Sequence, residues 1–327
     1  MEKIVPALLK KGDEVRIIAP SRGVKIIGQD VRALAEKRLN ELGLKVSYAE
    51  NAVDKNWDEL GTTSVQKRVD DIMNAFKDSN VKAIMTMIGG FNSNQILPYL
   101  DYAVIKANPK ILCGFSDITA LLDAIYARTG LITFSGPHFS SLGMLKGCDY
   151  TITNMVKMLM EKGENEVEPS KEWSDDLWFI DQEKRDFIPN EGYWVLNNGQ
   201  AKGTLLGGNL GTFNLLLGTA FRPKFEPNTI LFVEDTSESS IFSFMRNLTA
   251  LTYQEDFKNV KGVLIGRFQK ESKVSREQLA YIVKNVEPLS HLPVVANVDF
   301  GHSTPLLTLP VGGVAEINGA EILLKTA

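Results

Sequence analysis

Two cysteines in 327 residues, Cys113 and Cys148, are too few for a disulfide framework. With only three histidines beside them, the chain is also short of ligands for a thiolate metal site, and no metal is expected. No Lys/Arg block occurs, the net charge is -4 and the pI about 5.6. Nucleic-acid polymers and anionic membranes are met by basic surfaces, so neither is an expected partner. No apolar stretch approaches the roughly 20 residues that cross a bilayer. The amino terminus has a short apolar patch from Ile4 to Leu9 and then Lys10-Lys11, without the long apolar region and cleavage site of a signal peptide. A soluble, cytoplasmic protein is the expectation. There is no internal repeat and no low-complexity segment.

What is present is ordinary globular composition, 44% hydrophobic and 23% charged, in a chain longer than one core usually serves. In the first half, short β-branched runs alternate with helical patterns. Val15 to Ala19 reads as a buried strand ending at Pro20-Ser21, and Val31 to Leu42 carries apolar residues at a helical period. Leu44 to Tyr48 and Val81 to Met87 are strands, with a helix between them that Thr63 or Ser64 can cap. Ser93 to Tyr99 reads as a short helix, Ile111 to Gly114 as a strand, Asp117 to Arg128 as a helix and Leu131 to Phe134 as a strand. Such alternation predicts an α/β domain with a mostly parallel sheet, whose ligands bind beyond the carboxyl ends of the strands. From Glu161 to Gln200 no period is sustained, yet Trp173, Trp178 and Trp194 fall there, as in a functional loop. Short strands and Gly-rich turns follow. The division expected is therefore 1–165 as the amino-terminal domain, 166–200 as a connecting loop that meets substrate, and 201–327 as a smaller α/β or strand-rich domain.

Gly114-Phe115-Ser116-Asp117 lies between a buried strand and a helix. A serine at such a turn stands clear of the sheet, and the backbone N–H of Asp117 can serve a developing oxyanion. The hydrolase elbow G-x-S-x-G is half met, with Ile118 in place of the second glycine; the bland alternative is that Ser116 caps the helix. A nucleophilic serine needs a base. His291 reads as a surface turn residue, whereas His138 and His302 both follow strands, and position alone does not separate them. Glu234 ends the run Thr229 to Val233, where a carboxylate can orient a histidine or merely cap the next helix, and Asp235 and Glu238 are near enough to compete. Gly89-Gly90 follows the third strand and can bring backbone N–H groups close to a ligand, or be a plain turn. Neither this turn nor Gly207-Gly208-Asn209-Leu210-Gly211 has the context of a dinucleotide site, so no cofactor is expected.

Taken in order, Gly12-Asp13-Glu14-Val15, Ala19-Pro20-Ser21, Gly89-Gly90, Leu97-Pro98-Tyr99-Leu100-Asp101, Gly114-Phe115-Ser116-Asp117, Gly207-Gly208-Asn209-Leu210, Gly218-Thr219 and Asp299-Phe300-Gly301-His302 resemble the LD-carboxypeptidase family of serine peptidases. The resemblance implies a Rossmann-like amino-terminal domain, no metal, commonly a homodimer, and a triad of Ser116, His302 and Glu234. It implies oxyanion donors at the backbone of Asp117 and Gly90. The long central segment, with Ile88 before the glycines and Asn92-Ser93-Asn94-Gln95 after them, looks like the microcin C self-immunity branch. Members of that branch cleave the amide between an acidic aminoacyl group and a modified adenylate. An aromatic of the loop stacks there on the base, worth about 1–3 kcal/mol. Trp178 is the expected stacker and Trp173 its rival. Gly89 and, from their loop positions alone, Asn92, Ser93 and Asn209 are expected to contact substrate. The alternatives are release of D-alanine from a muropeptide and a non-catalytic ligand-binding module.

Overall fold

The structure is a computed structural model and describes residues 2–54 and 57–326. Its first sheet runs in the order Leu309–Val311, Thr133–Ser135, Ile111–Gly114, Val81–Thr86, Glu14–Ile18 and Lys45–Tyr48. All pairings are parallel except that of the edge strand Leu309–Val311. The expected alternation is present because the central strands Val81–Thr86 and Ile111–Gly114 are largely apolar and buried, with the intervening helices as cover, while Lys45–Tyr48 at the edge is only partly buried. Ser64 is the cap of Val65–Lys77, its side chain accepting from the Lys67 N–H, while Thr63 is buried beside it.

The second sheet has eight strands. Gln200–Asn209, Thr229–Glu234, Val260–Gly266 and Val294–Val298 form a parallel centre, flanked by antiparallel Asn165–Val167, Glu321–Lys325, Val314–Asn318 and Trp194–Asn197. The molecule is thus α/β, with one mostly parallel sheet and one strand-rich sheet.

The helix Thr119–Thr129 joins the two. All but two of its residues are buried, so it is enclosed around its whole circumference, Asp123 included. Its first residue reaches the second sheet directly, Thr119 Oγ1 accepting from the Asn209 N–H at 3.0 Å. The carboxyl ends of Ile111–Gly114 and Thr229–Glu234 are thereby brought face to face.

The central segment is aperiodic because its order comes from side-chain ties rather than a repeating face. It contains the two-residue ladder of Glu172–Trp173 with Ile188–Pro189. Arg185 Nε grips both oxygens of Asp176 at 2.8 and 2.9 Å. Ser174 and Thr304 exchange backbone hydrogen bonds of 2.7 Å, which fixes the segment to the loop just after His302. Beneath them the buried Asp299 accepts from the Ser170 N–H and hydroxyl, from Tyr193 and from Arg267, the last at 2.5 Å. The Arg267 guanidinium in turn lies 5.3 Å from the centre of the Trp173 ring.

Candidate active site

Ser116 follows the buried strand Ile111–Gly114 and has φ of 62°, the left-handed region. An L-residue there costs about 1–2 kcal/mol, which the surroundings must overcome. They do so by packing: the Phe115 ring stacks on His138 at 4.4 Å and lies 5.4 Å from the His302 ring. The capping alternative does not describe this serine. The helical turn starts from Phe115 and the helix from Ile118, neither with a side-chain cap. Ser116 Oγ is instead directed at His302.

His302 comes from the loop after Val294–Val298. Its Nε2 is 2.9 Å from Ser116 Oγ and its Nδ1 is 2.6 Å from Glu234 Oε2. Gly301 permits that approach, since a Cβ at this position would stand 2.9 Å from Glu234 Oε2. Glu234 is buried, and its second oxygen accepts from Asn209 Nδ2 at 3.1 Å. The Asn209 amide cannot turn over, because its Oδ1 accepts from the N–H of Thr212 at 3.0 Å. Burial pulls the His302 pKa down, but the charge and hydrogen bond of Glu234 outweigh it and hold the imidazole above its ordinary value. His138 is the opposite case. Its Nδ1 is 2.7 Å from Thr86 Oγ1, and burial, then the neighbouring His302, lower its pKa to about 3. It is a neutral ring in the wall. His291 stands at the surface beside Glu287.

The Gly89-Gly90 turn crosses in front of Ser116. A Cβ on Gly89 would lie 3.2 Å from Ser116 Oγ, and one on Gly90 would strike Ser21 Oγ at 2.2 Å. The Gly90 N–H meets no acceptor among the described residues, and the Asp117 N–H begins a helical turn, where donors lack intrahelical partners. Gly90 and the Ser116–His302 pair line a cleft of about 490 Å³ between the two halves, with the buried Asp117 directly behind Ser116. A hollow of about 530 Å³ beside Tyr150 and Glu168 has no such pair.

Of the residues expected to contact substrate, Gly89 and Trp178 line the cleft. Asn92, Ser93 and Asn209 do not. The N–H groups of Asn92 and Ser93 both donate to Asp117 Oδ2, at 3.0 and 2.9 Å, and Ser93 Oγ donates to the Asp117 carbonyl. They clamp the glycine turn to the start of the helix behind it, as Asn209 clamps Glu234. Trp173 lies against Arg267 and Lys270 rather than in the cleft. Cleft residues that the sequence did not single out include Arg22, Ser237 and Gln269, and Glu238, weighed only as a rival to Glu234, lines the cleft as well. Arg22 and Glu238 each stand just past a strand's carboxyl end, a position that could have flagged them.

Comparison with known proteins matches residues 15–136 to the LD-carboxypeptidase N-terminal domain and residues 202–317 to the LD-carboxypeptidase C-terminal domain. The chain belongs to the LD-carboxypeptidase family. A putative carboxypeptidase of Treponema pallidum is 50% identical over 95% of this chain and 91% of its own length. The crystal structure of an MccF-like protein from Bacillus anthracis, 46% identical, superposes with a TM-score of 0.96 over 99% of this chain and 100% of that one. The microcin C7 self-immunity protein MccF of Escherichia coli is 30% identical over 94% of this chain and 91% of its own. A structure of MccF with aspartyl sulfamoyl adenosine superposes with a TM-score of 0.88 over 98% of both chains at 28% identity. Membership of the LD-carboxypeptidases makes this a peptidase fold. Among its described residues no helix is long and apolar enough to cross a membrane.

Proposed function

We propose that this LD-carboxypeptidase homologue is a serine amide hydrolase acting through Ser116, His302 and Glu234. The observation that carries the reading is the unbroken relay from a strained serine to an imidazole to a buried carboxylate, with contacts of 2.9 and 2.6 Å. As Ser116 Oγ attacks the carbonyl carbon, its proton passes to His302 Nε2, and Glu234 stabilises the imidazolium. The oxyanion is taken by the N–H groups of Gly90 and Asp117. His302 then gives its proton to the leaving nitrogen as the C–N bond breaks. Water, deprotonated by the same imidazole, opens the acyl ester and frees Ser116.

The substrate we assign is the amide between an acidic aminoacyl group and a modified adenylate. Its support is the likeness to MccF, whose structure holds aspartyl sulfamoyl adenosine, and the half-buried Trp178 on the cleft wall, where an indole face can take a base. A cytoplasmic, homodimeric enzyme is part of the same reading. The deciding experiment compares cleavage of aspartyl sulfamoyl adenosine with D-alanine release from a muropeptide tetrapeptide, in the wild type and in Ser116→Ala. Cleavage of the nucleotide substrate alone, lost in the variant while binding persists, is expected. Preference for the tetrapeptide replaces the substrate assignment; full activity in Ser116→Ala removes the nucleophile.

A further inference from the structure

Arg22 is the one lysine or arginine among the described residues that line the cleft, and its guanidinium makes no hydrogen bond or ion pair with any of them. Other arginines around the site are spent internally. Arg68 is held by the carbonyls of Pro20 and Asn92 and by Gln95, Arg185 by Asp176, and Arg267 by Asp299. A free fork of donors at a reaction site is therefore a particular feature of Arg22.

Its placement is fixed from below. The Arg22 N–H donates to the Gly89 carbonyl at 3.2 Å. Next to it, Ser21 Oγ accepts from the Phe91 N–H at 3.1 Å and donates to Asn92 Oδ1 at 3.0 Å. The stem lies over the turn, with Cγ 3.0 Å from where a Gly90 Cβ would be. The guanidinium rests 5.6 Å from the centre of the Phe91 ring, a cation–π contact that keeps it oriented without neutralising it. Arg22 is thus built onto the same turn as the Gly90 N–H. In a chain cut before its last residue, the terminal carboxylate lies three bonds from the scissile carbon, within about 4 Å. An acylated sulfamate puts its ionised group closer still. Glu238, on the wall supplied by the other half, repels an anion, so the cleft is polarised toward Arg22.

The geometry points to Arg22 as the specificity residue that binds a planar anion, a carboxylate or an ionised sulfonyl group, on the leaving half of the substrate. A guanidinium meets two oxygens of such a group with parallel hydrogen bonds. This assignment rests on the hydrolase reading above. The anion orients the leaving nitrogen toward His302 and is released with the leaving group.

The test uses matched substrates: a tetrapeptide as free acid and as carboxamide, and an aspartyl sulfamoyl adenosine beside an uncharged aspartylamino analogue. Each is measured with the wild type, Arg22→Gln and Arg22→Lys, and thermal melts confirm that the variants fold. In whichever pair the wild type cleaves, Arg22→Gln is expected to lower kcat/KM on the anionic member by about 10- to 100-fold, and to leave the neutral member within about twofold. Arg22→Lys recovers part of the loss by charge alone. Equal loss on both members overturns the assignment, as does Arg22→Gln instead erasing a preference for aspartyl over asparaginyl substrates, which would place the anion on the acyl side. If the wild type cleaves none of the four, it is the hydrolase reading that fails, a separate outcome.

Discussion

Replacing Glu234 with glutamine tests the relay at its buried end, because the surroundings dictate which way the new amide must face. Asn209 Nδ2 donates to Glu234 Oε1 and is held in that orientation by the Thr212 N–H. The glutamine oxygen must therefore turn to Asn209, and its NH₂ must turn to His302 Nδ1. A neutral imidazole facing a donor at Nδ1 carries its proton on Nε2, which then points at Ser116 and cannot accept. The expected loss in kcat is about 10⁴-fold, or about 5.5 kcal/mol, the order seen when an acid of such a triad becomes an amide. The acid limb of the pH–rate profile also moves to lower pH, since the charge that raised the His302 pKa is gone. Adding Asn209→Asp reverses the logic: an acceptor now faces the glutamine, its amide flips, and its oxygen again receives the Nδ1 proton. The double variant should regain about 10- to 100-fold over Glu234→Gln. Steady-state kinetics give the rates, and nitrogen NMR of His302 gives the tautomer. A folded double variant no faster than the single one, with Nε2 still protonated, would refute the reasoning.

Ser116→Gly should raise stability by about 1 kcal/mol in denaturant titration while abolishing turnover, because glycine accepts φ of 62° without strain. Asp299→Asn leaves Arg267 buried without its counter-charge, which should cost about 3–5 kcal/mol and release the central segment to limited proteolysis between Ser174 and Gly192. Burial holds the Asp123 carboxyl well above the ordinary range. A raised value means that the folded state binds the proton more tightly, so stability from this group is full below the unfolded carboxyl value and is lost as pH rises toward the folded one. Asp123→Asn should flatten that decline, with a larger gain at pH 8 than at pH 4 in thermal melts.

The α/β architecture was legible because the strands of the first half are short runs rich in β-branched and apolar residues bounded by turn residues, and the helices between carry their own period. The strand Leu309–Val311 was not, since its pairing with Thr133–Ser135 spans more than half the chain and leaves no local mark. Ser116 could be placed on a strand-to-helix turn, but not distinguished from a cap, because its left-handed backbone is imposed by the packing of Phe115 against His138. His138 and His302 tied for a similar reason. Both follow strands, and what separates them is the partner of Nδ1, a threonine hydroxyl for one and Glu234 for the other. Loop position suggested Asn92, Ser93 and Asn209 as ligand contacts; their side chains and amides instead hold the glycine turn and Glu234 in place.

The return of Leu309–Val311 to the edge of the first sheet, seven residues after His302, means the polypeptide is laced through both halves more than once. A hinge between them would have to tear that strand away, so the gap over Ser116 cannot gape like a clamshell. Admission and release of anything bulky then fall to the aperiodic segment carrying Trp178, which is moored by side chains, one two-residue ladder and the Ser174–Thr304 bridge rather than by a long strand pairing. Lengthening, shortening or re-charging that segment would change the mouth of the cleft while Ser116, His302 and Glu234 stay where they are.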